Sequence, residues 1–148
     1  MLGKILIAAI LLTALIQRVY AAQAPQLAGS WNVTAVTTDE HTCKNVKPGD
    51  TQAYIWIVSS RADGTISVSV QGDTSFPKLE GHWADDFRTL VLEGNPTAAL
   101  FSGGATSWFK LSADNTRTLH GIRRYLAGNQ SPSGRACFAD FEITAKRQ

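Results

Sequence analysis

The chain has 148 residues, of which 44% are hydrophobic and 18% charged, and its formal net charge is +2. This length fits one domain that can bury a core of its own. The small net charge, with no run of lysine or arginine, gives no support to a nucleic-acid-binding function.

The N-terminal segment has the pattern of a secretory signal peptide. Lys4 precedes an apolar run from Ile5 to Ile16, and small residues follow it near position 21. Such leaders have an apolar core of about 7 to 15 residues, whereas a membrane span needs about 20. We predict cleavage after Ala21, which leaves residues 22–148 as one exported domain, periplasmic or extracellular. The alternative is an uncleaved N-terminal anchor.

The leader also carries the excess positive charge. It contains Lys4 and Arg18 and no acidic residue, so residues 22–148 hold 12 basic and 12 acidic side chains. A formally neutral domain gives no reason to expect nucleic acid as a partner, nor a membrane once the leader is removed.

Strand-like segments recur along residues 22–148 and are separated by turn residues. Gly29 and Trp31 open the first segment, which runs to Thr37. Asp63-Gly64 joins two alternating segments and is the strongest short-range signal for a hairpin. The later segments are Gln52–Ser60, Thr65–Gln71, Leu79–Ala84, Arg88–Glu93, Thr106–Leu111, Arg117–Leu126 and Cys137–Ala145. Together with the first, these segments predict an all-β chain of eight strands.

Glycines recur in three of these segments. Leu-x-Gly-x-Trp occurs at residues 27–31 and 79–83, and a looser copy, Leu-x-Gly-x-Arg, ends at Arg123. A glycine inside a strand is typical of a bend where two backbones approach closely. The repeat therefore supports strands at these three places, whether or not it records an internal duplication.

The two cysteines bear on how the strands connect. Cys43 follows the first predicted strand, and Cys137 begins the last. In an up-and-down barrel with an even number of strands, the first and last strands pair antiparallel, which brings these positions together. An even number of cysteines in an exported chain favours a disulfide. We predict an antiparallel up-and-down eight-stranded barrel with a Cys43–Cys137 bridge. The alternatives are a Greek-key sandwich, two free thiols, and half of a metal site with His41.

An eight-stranded barrel is either filled by side chains or just wide enough for one small ligand. The domain has a large aromatic content, which includes Trp108 and Phe141, and aromatic walls with a few polar groups are typical of small-molecule sites. If Arg123 faces the interior, it must be paired or bind an anionic group; if it does not, Arg124 takes the inward position. The candidate ligand-binding residues are Trp31, Tyr54, Trp56, Trp83, Arg123 and Tyr125. The alternative is that the aromatic side chains simply fill the core.

Catalytic motifs are missing from the sequence. It contains no Gly-x-Ser-x-Gly, no His-Glu-x-x-His and no glycine-rich phosphate loop. Asp85-Asp86 fits a hairpin turn better than an acid/base pair. We expect a protein that is not an enzyme and that needs no cofactor and no metal.

Residues at the two ends of the domain resemble a known pattern. Gly29-x-Trp31, with Lys146 and Arg147 just beyond the final predicted strand, resembles the calycin pattern of lipocalins and their relatives. In that pattern an Arg or Lys from the last strand covers the Trp of the first, and the resemblance implies a ligand-binding barrel. In the similar avidins, an Asn two residues after the Trp contacts biotin. Val33 stands at that position here.

A second resemblance concerns the segment from Gln26 to Trp31 and the cysteine after it. It is similar to small periplasmic inhibitors of bacterial metalloproteases, which insert their N-terminal tail into the protease cleft. Those inhibitors place both cysteines in the first half of the chain, unlike Cys137 here. Two functions therefore remain: a small apolar or amphipathic ligand held in the barrel, or inhibition of a target protease through Ala22–Gln26 or the rim loops.

The leader assignment predicts the mass of the exported protein. Purified from an exporting host, the chain should begin at Ala22, and its intact mass should be two units below that of the reduced form because of the bridge. A mass spectrum with and without reduction measures both. A chain that begins at Pro25, or that keeps its first residues, would contradict the predicted cleavage site.

Overall fold

The computed structural model describes residues 25–41, 43, 46–74, 76, 78–94, 105–128 and 136–148, so the predicted leader lies outside the described residues. In these ranges, no helix is long and apolar enough to cross a membrane. The strands are β1 (Gly29–His41), β2 (Thr51–Ser60), β3 (Ile66–Val70), β4 (Leu79–Trp83), β5 (Thr89–Glu93), β6 (Ala105–Asn115), β7 (Thr118–Ala127) and β8 (Cys137–Arg147). Each strand pairs antiparallel with the next, and β8 pairs with β1, which closes the barrel. The predicted fold class, an all-β eight-stranded up-and-down barrel, is confirmed.

Several strands are longer than the sequence pattern predicts. β1 continues to His41, and β6 continues through the predicted turn to Asn115. The turn follows at Asn115, whose side-chain oxygen accepts the Arg117 N–H at 2.7 Å. Asparagine commonly makes this bond to the backbone two residues on, so Asn115 starts the turn between β6 and β7.

Side chains alternate between the inner and outer faces of the barrel, as expected for strands. The inner face of β8 is formed by every second residue, since Cys137, Ala139, Phe141, Ile143 and Ala145 are all buried. On β6, Phe109 is fully buried and Trp108 is 38% exposed. Trp108 therefore belongs to the outer face and not to the aromatic interior.

Two of the strand glycines lie where neighbouring backbones meet. A Cβ atom at Gly81 would overlap the carbonyl oxygen of Val91 on β5, and one at Gly121 would overlap the carbonyl oxygen of Lys110 on β6. Any larger residue would push these strand pairs apart. Gly81 and Gly121 therefore mark close approach within a coiled sheet, whereas Gly29 faces only the Arg147 side chain.

One end of the barrel, which we call the Trp31 end, is covered by residues 25–28. Leu27 is buried, and its carbonyl oxygen accepts the Trp31 indole N–H at 2.8 Å. Arg147 donates to the carbonyl oxygens of Gln26, at 3.2 Å, and Ala28. Arg147 is the last residue of β8 and pairs with Trp31, so Lys146 and Arg147 lie within the final strand and not beyond it. The chain thus closes this end with its own N-terminal segment.

The opposite end, which we call the Arg123 end, contains the predicted disulfide. Cys43 and Cys137 are bonded, with Cα atoms 4.9 Å apart and a sequence separation of 94. They meet because β1 ends and β8 begins at this end, where His41 pairs with Phe138. The disulfide prediction is confirmed.

Loss of the bridge should lower stability substantially. A loop of this length constrains the unfolded chain by up to about 4.5 kcal/mol in the chain-entropy model. We expect Cys43→Ala with Cys137→Ala to lower the free energy of unfolding by about 2 to 4.5 kcal/mol in urea denaturation. The reduced wild-type protein is the control for the substitutions themselves. A reduced protein as stable as the oxidised one would contradict the expectation.

Candidate ligand site at the Arg123 end

Arg123 faces the interior of the barrel. It is 6% exposed and pairs across the sheet with Phe109 on β6 and Phe141 on β8, which are both buried. Arg124 faces outward and donates two hydrogen bonds to the Asp140 carboxylate, at 2.7 and 2.6 Å. These bonds lower the pKa of Asp140. Of the two neighbouring arginines, only Arg123 belongs to the interior.

Aromatic rings surround the Arg123 guanidinium. Its Nε donates to the Ser107 hydroxyl oxygen at 2.9 Å. The guanidinium carbon lies within 6 Å of four ring centroids, close enough for cation–π attraction. The rings are those of Phe141 at 4.9 Å, Phe76 at 5.4 Å, Tyr125 at 5.4 Å and Phe109 at 5.7 Å. In the described part of the chain, no carboxylate pairs with Arg123.

The guanidinium remains charged in this apolar surrounding. Burial lowers the pKa of Arg123, and the nearby Tyr54 and Tyr125 side chains oppose that effect. An arginine side chain stays protonated in proteins even so, because the guanidinium holds its proton very tightly. Among the ion pairs of the described residues, none joins this buried positive charge to a carboxylate.

Two further polar atoms near this end, the Trp56 indole nitrogen and the Thr106 hydroxyl, are buried without a hydrogen-bond partner. The Tyr54 hydroxyl is also buried, and it lies within hydrogen-bonding reach of Arg123. The Tyr54 ring lies 6.2 Å from both Phe76 and Trp56, and Trp56 meets Phe109 edge to face at 5.3 Å. Burial raises the pKa of Tyr54, and the charge of Arg123 offsets part of that rise. Buried polar groups are nearly always bonded, so these atoms indicate a place for a polar partner.

A cavity of about 230 Å³ opens beside Arg123. It is lined by residues that include Asp73, Phe76, Thr106, Ser107, Arg123 and Tyr125. At about 30 Å³ for each water molecule, it has room for a small organic molecule or roughly seven waters. It combines a cation, aromatic walls and a few polar groups, which is the composition typical of a small-molecule site.

The structure brings together four of the six predicted site residues. Tyr54, Trp56, Arg123 and Tyr125 are connected by ring and charge contacts around the Arg123 end. Trp31 pairs with Trp56 across β1 and β2 but bonds to the N-terminal segment, and Trp83 lies apart. Trp31 is fully buried and bonded to Leu27 at the other end. Trp83 lines a separate recess of about 250 Å³ beside Pro25 and Gln26. The two ends of the barrel therefore differ in chemistry.

Sequence reasoning missed several residues of the site. Phe76 and Asp73 lie between β3 and β4, where no periodic pattern marks an inward side chain. Ser107 lies on the inner face of β6, two residues before the buried Phe109. Placing Phe109, and not Trp108, on the inner face would have identified Ser107 as well. Assigning Trp108 to the interior concealed this signal.

Other parts of the described chain offer weaker sites. A larger groove of about 550 Å³ is lined by charged residues. Glu80 there pairs with Arg61 at 3.2 Å and Lys78 at 3.4 Å, so the charges neutralise one another. Among the described residues, no three His, Cys, Asp or Glu side chains group as metal ligands.

Comparison with known proteins bears on the fold alone. The chain matches no protein-family model and no curated protein. A redesigned β-barrel, b11L5F_LGL, is similar in structure with a TM-score of 0.45 and 18% identity, over 87% of this chain and 95% of that one. A second redesigned β-barrel, mFAP1 bound to DFHBI, has a TM-score of 0.46 and 16% identity, over 78% and 94% of the two chains. These values assign neither a family nor a ligand to this chain.

The proximity of Arg123 to Tyr54 predicts a measurable titration. Since the charge of Arg123 lowers the pKa of Tyr54, Arg123→Met should raise that pKa further above its ordinary value. Absorbance titration in a Tyr125→Phe background measures it, because Tyr54 is then the only tyrosine of residues 22–148. Arg124→Met is the control and should leave the titration unchanged. An unchanged Tyr54 in Arg123→Met would show that the two groups do not interact.

Proposed function

We propose that this protein is an exported binding protein that holds a small amphipathic molecule at the Arg123 end. An anionic group of the ligand binds Arg123, and its apolar part lies among the aromatic rings. The observation that carries the proposal is the buried guanidinium, which no carboxylate of the described chain neutralises. The role is binding and not catalysis, and it requires no cofactor.

The energetics of a buried charge support this role. Removing an ion from water costs several kcal/mol, even after the protein relaxes around it. The Ser107 hydrogen bond and the ring contacts of Arg123 recover part of that cost. A ligand carboxylate or similar anion would supply the strong, charge-assisted hydrogen bonds that are still missing. The Arg123 guanidinium of the free protein is therefore positioned to bind an anionic group.

The neighbouring polar atoms fit the same ligand. The Trp56 indole nitrogen is a donor only, and the Tyr54 hydroxyl can donate as well. The Trp56 indole nitrogen is buried without a partner in the described chain, and the Tyr54 hydroxyl lies beside Arg123. Donors next to a cation favour an oxygen-rich acceptor, and the cavity of about 230 Å³ limits the ligand to a small molecule.

Export is supported by the disulfide. Disulfides form and persist in oxidising compartments such as the periplasm or the extracellular space. The Cys43–Cys137 bridge fits such a location. The leader pattern of residues 1–21 points the same way.

Protease inhibition through the N-terminal tail is less well supported. Arg147 binds the carbonyl oxygens of Gln26 and Ala28, and Leu27 is buried. The tail would have to leave these contacts, or act through residues 22–24, which lie outside the described residues. No feature of the described chain favours this function over ligand binding.

The test compares the two neighbouring arginines. Arg123→Met removes the inner charge and keeps an apolar side chain, whereas Arg124→Met removes the same charge from the outer face. Hydrogen bonds to charged groups contribute about 1.5 to 3 kcal/mol, so Arg123→Met should weaken the binding of hexanoate or octanoate roughly 10- to 100-fold. Isothermal titration calorimetry on the exported protein measures the affinity.

Arg124→Met should bind these carboxylates as tightly as the wild type. Equal affinity in Arg123→Met and the wild type would overturn the proposed site. Thermal unfolding of both variants without ligand verifies that they remain folded.

A further inference from the structure

The first strand changes phase just before it reaches the Arg123 end. Thr37 pairs with Phe141, but Asp39 pairs with Asp140, so Thr38 is an extra residue in the ladder. Without this bulge, alternation would place Asp39 inside and Glu40 outside. Instead, Glu40 pairs with Ala139, which is fully buried on the inner face. The bulge therefore turns Glu40 towards the interior, as bulges near functional sites often do.

Glu40 lies in the same row of the inner wall as two residues of the cavity. The row runs across four strands as Ser107, Tyr125, Ala139 and Glu40, each paired with the next. Ser107 and Tyr125 line the cavity. Neighbouring strands lie about 4.8 Å apart, so the Tyr125 and Glu40 backbones are about 10 Å apart. Between them, Ala139 contributes only a methyl group.

Two oxygen atoms on this part of β1 have no partner. Glu40 Oε2 and Thr37 Oγ1 are both buried and accept no hydrogen bond, and Thr37 is only 2% exposed. Thr37 belongs to the adjacent row of the wall, which contains Phe109, Arg123 and Phe141. Within the described chain, Glu40 and Arg123 do not pair with each other. One end of the barrel thus holds a cation and a separate acidic acceptor, both facing inward.

We propose that Glu40 and Thr37 are a second polar contact of the ligand site and bind a primary ammonium group. This proposal rests on the proposed function, in which Arg123 binds an anionic group. The ligand class is then a small molecule with an anion at one end, a primary amine at the other and an apolar segment between them. Charge complementarity selects the amine, because a cation is the natural partner of an inward carboxylate.

The experiment uses matched probes that differ only in the amine. Hexanoate is compared with 6-aminohexanoate, and octanoate with 8-aminooctanoate, by titration calorimetry on the exported protein. An ammonium group weakens binding to an apolar cavity unless an acceptor meets it. In the wild type, whichever of the two amino carboxylates binds more tightly should bind at least about tenfold more tightly than the carboxylate of the same chain length without the amine.

Two variants locate the acceptor. Glu40→Gln keeps the size of the side chain and removes its charge, and it should reverse the preference so that the plain carboxylates bind more tightly. Glu142→Gln is the control, because Glu142 is an exposed carboxylate on the outer face of β8. It changes the net charge equally and should keep the wild-type preference. Circular dichroism verifies that both variants fold.

The outcomes separate this proposal from the one on which it rests. If the plain carboxylates bind in an Arg123-dependent way, but the amine gives no advantage in the wild type, the Glu40 contact is overturned and the proposed function stands. If an advantage exists and Glu40→Gln keeps it, the acceptor is not Glu40, and the contact is again overturned. If none of the probes binds the wild type, the proposed function fails and the Glu40 contact fails with it.

Discussion

The pairing of β8 with β1 is the interaction on which the rest of this structure depends. It closes the barrel in an antiparallel ladder that runs from Trp31–Arg147 at one end to His41–Phe138 at the other. At the first end it places Arg147 against the N-terminal segment, and at the second it joins Cys43 to Cys137. Near that second end, the bulge in the same ladder turns Glu40 inward. Closure of the barrel and construction of its candidate site are thus results of one strand pair.

The two ends of the barrel use their interior differently. The Trp31 end is filled by the chain itself, and its indole N–H and the backbone carbonyls of residues 26–28 all have partners. The Arg123 end instead holds a buried cation, an inward carboxylate and several buried polar atoms without partners. Unpaired buried polar groups lower stability, so a group of them at one place is a cost that the proposed ligand site would explain. The disulfide stands at this same end and constrains the unfolded chain, which offsets part of that loss.

Much of the fold could be predicted from residue pattern. Asp63-Gly64, the recurring strand-like segments and the positions of the cysteines indicated the strands, the barrel and the bridge, and the structure decided against a Greek-key sandwich and free thiols. The site was predicted only in part. Tyr54, Trp56, Arg123 and Tyr125 lie near one another, but Trp31 and Trp83 belong to the other end because residue type says nothing about height along the barrel axis. Trp108 was assigned to the wrong face because alternation gives a period of two but not its phase, and a slip of one residue reverses every side chain.

The sequence by itself determined the strand content, the direction of the chain through the barrel and the disulfide, since these follow from local alternation, turn residues and the order of segments. Tertiary structure alone decided which of Arg123 and Arg124 enters the interior, because that choice depends on the register with Phe109 and Phe141 on neighbouring strands. It alone also decided that Glu40, and not Asp39, faces inward. A single extra residue at Thr38 changes the phase of β1, and nothing in the alternation before it signals that change. The chemistry of the site therefore depends on contacts between strands that are distant in sequence, and local pattern does not contain them.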